Sequence, residues 1–125
     1  LLLFLVDSFS QSNLFTSYRK ENDLIGKAKD MIHCSLENVL RLDDICMKFN
    51  TSKFQFIRMF KASTGISPYQ YFINCKVEHA KQLIEKNKDV YSAVAECGFV
   101  DLTHLNKHFK RIYGITAFKY LSYLS

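Results

Sequence analysis

The chain repeats itself once, and that repeat constrains its fold more than any other feature. Shifting the sequence by 49 positions brings Phe60-Lys61-Ala62-Ser63-Thr64-Gly65-Ile66-Ser67 onto Phe109-Lys110-Arg111-Ile112-Tyr113-Gly114-Ile115-Thr116. Phe, Lys, Gly and Ile recur in register, and Ser67 pairs with Thr116. Farther out, Tyr71 falls on Tyr120, Ile45 on Val94 and Cys46 on Ala95. A lone F-K-x-x-x-G-I-[ST] string would carry little weight. A second copy, with its upstream apolar–small pair also in register, carries much more. Two copies are too few for a solenoid, so the sequence predicts a duplicated small helical unit.

Each unit reads as helix, tight turn, helix. In the first, Asp43 or Asp44 is expected to open a short helix carrying Ile45, Cys46 and Phe49. Asn50 and Thr51 form the break, and Ser52 is a good N-cap. The next helix runs to about Thr64 and stops at Gly65, an expected left-handed cap. In the second, a helix of about Tyr91 to Cys97 ends at Gly98, and Asp101 caps a helix running to about Tyr113, with Gly114 as its stop. The small residues Cys46 and Ala95 are expected to let a second helix cross closely. A short helix, a turn of roughly three to four residues and a longer helix make the helix-turn-helix pattern.

The longer helix of each unit has two faces. Phe56, Met59, Phe60 and Ser63 form an inward stripe in the first copy, and Leu105, His108, Phe109 and Ile112 in the second. That leaves Lys53, Phe54, Ile57, Arg58 and Lys61 on the outer face of one, and Leu102, Thr103, Asn106, Lys107 and Lys110 on that of the other. Such faces suit base-edge reading. Arg or Lys bonds guanine, Asn pairs with adenine, and Phe, Ile or Leu packs against thymine methyls. For one copy, core apolars beside solvated lysines would be the simpler account. The same arrangement in both copies favours a reading surface.

Between the units, Ser67-Pro68 is a cap followed by proline in the first helical turn, and Ile73, Val77, Ala80 and Ile84 continue at helical spacing to about Asn87. About twenty helical residues span ~30 Å. Successive major-groove segments on one face of B-DNA lie ~34 Å apart. A connector of this length can therefore serve two adjacent grooves, with any DNA bend costing on the order of 1–6 kcal/mol.

The remaining segments frame these units. Asn22 or Asp23 is expected to cap a helix to about Cys34, with Leu24, Ile25, Ala28 and Ile32 on one face. Thr116 is expected to cap a last helix to about Leu124. Residues 1–21 read as the tail of a missing upstream domain plus its linker, the alternative being an amphipathic helix native to this domain. The chain does not begin with Met, consistent with a piece of a longer protein. Its one Pro and four Gly argue against a many-stranded β fold. The longest apolar run, Leu1 to Val6, is too short to span a bilayer.

Charge is informative when divided. Residues 1–52 hold six Lys/Arg against seven Asp/Glu, and residues 53–125 hold eleven against five, which together give the net +5. A basic C-terminal portion points to a polyanion partner. Cys34, Cys46, Cys75 and Cys97 contain no C-x-x-C pair and fall in apolar helical patterns, so buried reduced thiols in a reducing cytosol are expected. His104 and His108 have an i, i+4 metal-ligand spacing without a suitably spaced third ligand, and His33 and His79 are lone helical residues. Neither a Gly-rich phosphate loop nor a nucleophile motif is evident. The expectation is no enzyme, no metal and no cofactor.

At this point the chain resembles the C-terminal DNA-binding domain of the AraC/XylS family of bacterial transcription regulators, over about residues 23–124. The most specific stretch is Gly98-Phe99-Val100-Asp101 followed by Phe109-Lys110-Arg111-Ile112-Tyr113-Gly114-Ile115-Thr116. It is similar to the family's G-F-x-D … F-K-x-x-x-G-x-[ST] signature. The resemblance implies an all-α fold of about seven helices: two helix-turn-helix subdomains (about 42–65 and 90–114) joined by a long linker helix (about 67–87), within a domain of residues 22–125. It implies sequence-specific binding of double-stranded promoter DNA, with Phe54, Ile57 and Arg58 reading in the first unit and Lys53 and Lys61 nearer phosphates. In the second unit Leu102, Thr103, Asn106 and Lys107 would read. RNA polymerase is a candidate second partner, an effector or dimerisation domain is expected upstream, and the expected location is the bacterial cytoplasm, at the nucleoid. Two positions depart from the family pattern. Ala117 stands where proline is usual, which predicts a less firmly started last helix, and Leu105 stands where Phe is common, a tolerable core exchange. The competing reading is a protein-interaction module that docks another regulator through Phe54, Ile57 and Leu102.

Overall fold

The computed structural model describes residues 20–124, which form seven helices and no strand. They are α1 (20–34), α2 (Leu42–Lys48), α3 (Lys53–Thr64), α4 (Pro68–Asn87), α5 (Val90–Glu96), α6 (Leu102–Tyr113) and α7 (Ala117–Leu124). The fold is two helix-turn-helix units, α2–α3 and α5–α6, on either side of the long α4.

The repeat is visible in the backbone. Gly65 and Gly114 close α3 and α6 with near-identical left-handed geometry, φ 85° and 83°, and each amide bonds the lysine carbonyl four residues back at 2.8 Å. Ser67 and Thr116 then cap α4 and α7, accepting from the Gln70 and Lys119 amides at 3.1 and 3.2 Å. Phe60 packs on Tyr71 at 5.5 Å and Phe109 on Tyr120 at 5.7 Å between ring centroids. Positions 49 apart thus do the same work.

The first helices do not keep that offset. α2 and α5 both have seven residues and start 48 positions apart, whereas α3 and α6 start 49 apart. The left-handed turn residues, Asn50 (φ 52°) and Gly98 (φ 70°), follow the 48 offset. So do the turn-closing bonds Thr51 N–H to Cys46 O and Phe99 N–H to Val94 O. The second turn is one residue longer, and Val100, 85% exposed, takes up the extra length. Cys46 therefore corresponds to Val94, not Ala95. In α5 the buried residues are Val90 and Ala93, while Ala95 is exposed.

Several boundaries differ from expectation. α1 is already helical at Lys20 and Glu21, so neither Asn22 nor Asp23 is its cap, and residues 1–19 lie outside the described residues. α2 starts at Leu42 after Arg41, without a side-chain cap, and Asp43 and Asp44 sit in its first turn, beside the positive end of the helix dipole. α5 starts one residue before Tyr91 because the Asp89 carboxylate accepts the Tyr91 amide at 3.0 Å, and it ends at Glu96, leaving Cys97 in the turn.

One apolar cluster joins both units through α4. It contains Ile25, Ala28 and Ile32 of α1, Ile45, Phe56 and Phe60 of the first unit, Ile73, Val77, Ala80 and Ile84 of α4, Val90, Ala93, Leu105 and Phe109 of the second unit, and Ala117 of α7. The inward stripes are narrower than expected, since Ser63 and Ile112 lie in the last turns of their helices and are exposed. Cys46 and Cys97 are buried, but Cys34 is exposed and Cys75 half-buried; all four are free thiols. Burial pushes the Cys97 thiol up to about 12, far from a reactive thiolate. His33 is not alone, since its Nε2 lies 3.1 Å from the Tyr71 hydroxyl.

Candidate nucleic-acid interface

The second helix of each unit combines cations with an absence of anions. α3 carries Lys53, Arg58 and Lys61, α6 carries Lys107, Lys110 and Arg111, and neither contains Asp or Glu. Their N-termini are fixed by side chains. The Ser52 hydroxyl accepts the Gln55 amide at 3.1 Å, and the Asp101 carboxylate accepts the His104 amide at 2.8 Å. Both helices pack on α4 rather than on each other, which leaves their outer faces open.

On α3, Phe54 is 74% exposed, and the Arg58 guanidinium lies 5.3 Å from its ring centroid. An exposed pair of this kind stabilises by about 0.5–1 kcal/mol. It holds a flat apolar surface and a planar donor together one turn apart. Lys61 is exposed and Ile57 half-buried. Lys53 is exposed, but its ammonium pairs with the Asp43 carboxylate at 3.2 Å, which ties the start of α3 to α2.

On α6, Thr103, Lys107 and Lys110 are exposed. Leu102 is half-buried and packs against the core. Asn106 turns partly inward, and its side-chain oxygen accepts the Ala117 amide at 3.0 Å. The open faces therefore bring together Phe54, Arg58 and Lys61 on α3, and Thr103, Lys107 and Lys110 on α6. Lys53, Ile57, Leu102 and Asn106 each have a structural engagement or lie partly buried.

Two features were not legible in the sequence. Arg111 donates to the Asn74 side-chain oxygen at 2.9 Å, and Asn74 also accepts from Gln70 at 2.9 Å, so a polar chain ties α6 to α4. Lys76 of α4 is buried and donates to the Gly98 carbonyl at 3.4 Å. The His104 and His108 rings meet edge to face at 5.0 Å. Burial, then the nearby His104, Arg111 and Lys107, keep His108 below the ordinary histidine range and so favour its neutral form. Among the described residues no three His, Cys, Asp or Glu cluster as metal ligands, and no helix is long and apolar enough to cross a membrane.

The family described as "Helix-turn-helix domain" matches residues 45–122. The Msm operon regulatory protein of Streptococcus mutans is 27% identical over 96% of this chain and 44% of its own length. The fold is that of a transcriptional regulator from Chromobacterium violaceum described by its AraC-type DNA-binding domain, with TM-score 0.76 and 22% identity over 86% of this chain and 96% of that one. This chain belongs to the AraC/XylS family. That family consists of DNA-binding transcription regulators. A further similar structure is the DNA-binding domain of AdpA in complex with a target DNA, with TM-score 0.71 and 24% identity over 79% of this chain and 90% of that one. The AraC/XylS-type chain spans less than half the length of the curated relatives it matches.

Proposed function

We propose that this AraC/XylS-type domain binds duplex promoter DNA in a sequence-specific manner, with α3 and α6 entering successive major-groove segments, and that it regulates transcription. The observation that carries this reading is the duplicated basic outer face of two capped helices, neither containing Asp or Glu, mounted on one rod of about 30 Å. Phe54 and Arg58 on α3, and Thr103 and Lys107 on α6, are the base-facing residues. Lys61 and Lys110, one turn further along, are the phosphate-facing ones. Ile57 and Leu102 border the reading surfaces. Lys53 serves α2 through Asp43 as well as any phosphate, and Asn106 reaches a base only with the amide group that its bond to Ala117 leaves over.

Residues 22–125 constitute the DNA-binding domain in this proposal, with a sensing or dimerisation domain upstream, RNA polymerase as a partner at the promoter and the nucleoid as the site of action. The test is binding to duplexes selected from a random pool, measured across salt concentrations. Affinity should fall linearly on a double-logarithmic plot, because each neutralised phosphate releases counterions. Salt-insensitive or absent binding, with capture of a defined partner regulator through Phe54, would favour the interaction-module reading.

A further inference from the structure

Lys76 is 5% exposed and is the buried charged residue among those described. Its ammonium donates to the Gly98 carbonyl at 3.4 Å and lies 4.7 Å from the centroid of Phe72 and 5.8 Å from that of Phe99. Burial lowers its basicity relative to ordinary lysine. Methionine would fill the same space without removing a charge from water, but it would leave the Gly98 carbonyl without this donor.

Three segments of the fold come together around Gly98. Gly98 is the left-handed residue of the turn between α5 and α6, at the negative end of the α5 dipole, where a cation is favoured. A Cβ at Gly98 would stand 3.2 Å from Lys76 Nζ and 3.2 Å from the backbone oxygen of Glu37. Glu37 belongs to the α1–α2 loop of the first unit. The connector helix therefore places its buried cation where the first unit's loop touches the second unit's turn. Three residues after Gly98, Asp101 starts α6. The Gln70–Asn74–Arg111 chain also links α4 to α6, but Arg111 is exposed and lies in the last turn of α6, far from its start.

We propose that Lys76 is a positioning residue that fixes the direction of α6 relative to α3, and through it the spacing between the two half-sites that the chain accepts. This rests on the duplex-reading function proposed above. Lys76 touches no base. It acts through the Gly98 carbonyl, and its loss loosens the geometry without removing a DNA contact.

The experiment compares a selected two-half-site duplex with versions carrying one base pair more or fewer between the half-sites. The parent should lose roughly tenfold or more on the altered spacings, the scale of one lost charge-assisted hydrogen bond. Lys76→Met, which keeps the apolar stem, should discriminate by less than about threefold, below that single-bond scale. Lys76→Arg, which keeps a donor, should retain the parental penalty. A folded Lys76→Met with the parental spacing penalty overturns the proposal, as does a folded Lys76→Arg that loses it. If Lys76→Met does not fold, Lys76→Arg decides by the same criterion. If the parent binds no duplex, it is the function that fails, and amide exchange then tests Lys76 alone. Phe99 should exchange faster in Lys76→Met, while Thr51, the equivalent turn amide of the first unit, should not change. Equal behaviour of the two amides would refute the assignment.

Discussion

The side-chain oxygen of Asn106 accepts the Ala117 amide at 3.0 Å, and the residues 49 positions earlier are Ile57 and Pro68. The two pairs solve one problem in different ways. The first residue of α4 is proline, which has no N–H to satisfy at a helix start. The first residue of α7 is alanine, whose amide needs an acceptor, and Asn106 supplies it. The last helix therefore starts with its first amide satisfied although no proline stands there. Thr116 accepts the Lys119 amide at 3.2 Å.

This pairing gives a double-mutant test. Asn106→Ile should destabilise the domain by about 1–3 kcal/mol, because it leaves a partly buried amide unpaired. In an Ala117→Pro background the same change should cost much less, because no donor remains. Urea denaturation of the four proteins measures the coupling. Equal costs in both backgrounds would show that the bond is not what Asn106 contributes to stability.

Arg58→Ala and Lys107→Ala should each weaken a cognate duplex by about 1–3 kcal/mol and relax base preference at one position. Lys61→Ala and Lys110→Ala should weaken all duplexes alike and reduce the salt slope by about one unit each. Binding titrations against point-substituted duplexes separate the two classes. A Lys107→Ala protein with intact base preference would remove Lys107 from the reading set.

Much of this arrangement was legible in the sequence, and the failures share a physical cause. Ser52, Ser67, Asp101 and Thr116 could be read as caps because capping is local chemistry, and Gly65 and Gly114 as stops because their left-handed geometry strongly favours glycine. Lys76 and Arg111 were missed because their partners, Gly98 and Asn74, lie 22 and 37 positions away. Periodicity alone suggests that a lysine on a helix is solvated. The base-facing role expected of Asn106 was complicated by another long-range bond, 11 residues ahead. The 48-position offset of the first helices was hidden because the strong sequence matches all lie after the turn that carries the extra residue.

Glycine substitutions should follow a definite order. Gly65→Ala and Gly114→Ala place a side chain in left-handed backbone with open space around it, costing about 1–2 kcal/mol each. Gly98→Ala adds crowding against the Glu37 oxygen and the Lys76 ammonium, both 3.2 Å from the new Cβ, and should cost more. Thermal melts of the three variants check the ranking. A Gly98→Ala protein as stable as the other two would mean that the turn relaxes freely.

His108 makes stability depend on pH. Its basicity is lowered in the folded state, so on acidification the unfolded chain takes up this proton first. The contribution is fully present above the ordinary histidine range, around pH 6.5, and is lost as the pH falls through that value toward the lower folded one. Denaturation midpoints should drop between about pH 7 and 5, and His108→Gln should remove part of that slope. An unchanged slope would place the titration elsewhere.

The central claim is that both reading helices engage one duplex at once. Hydroxyl-radical footprinting of the chain on a selected duplex tests this most directly. Two protected tracts on the same face, centred about ten base pairs apart, with the α6-proximal tract alone weakened by Lys107→Ala, are the expected result. A single tract that Arg58→Ala and Lys107→Ala weaken equally would contradict it.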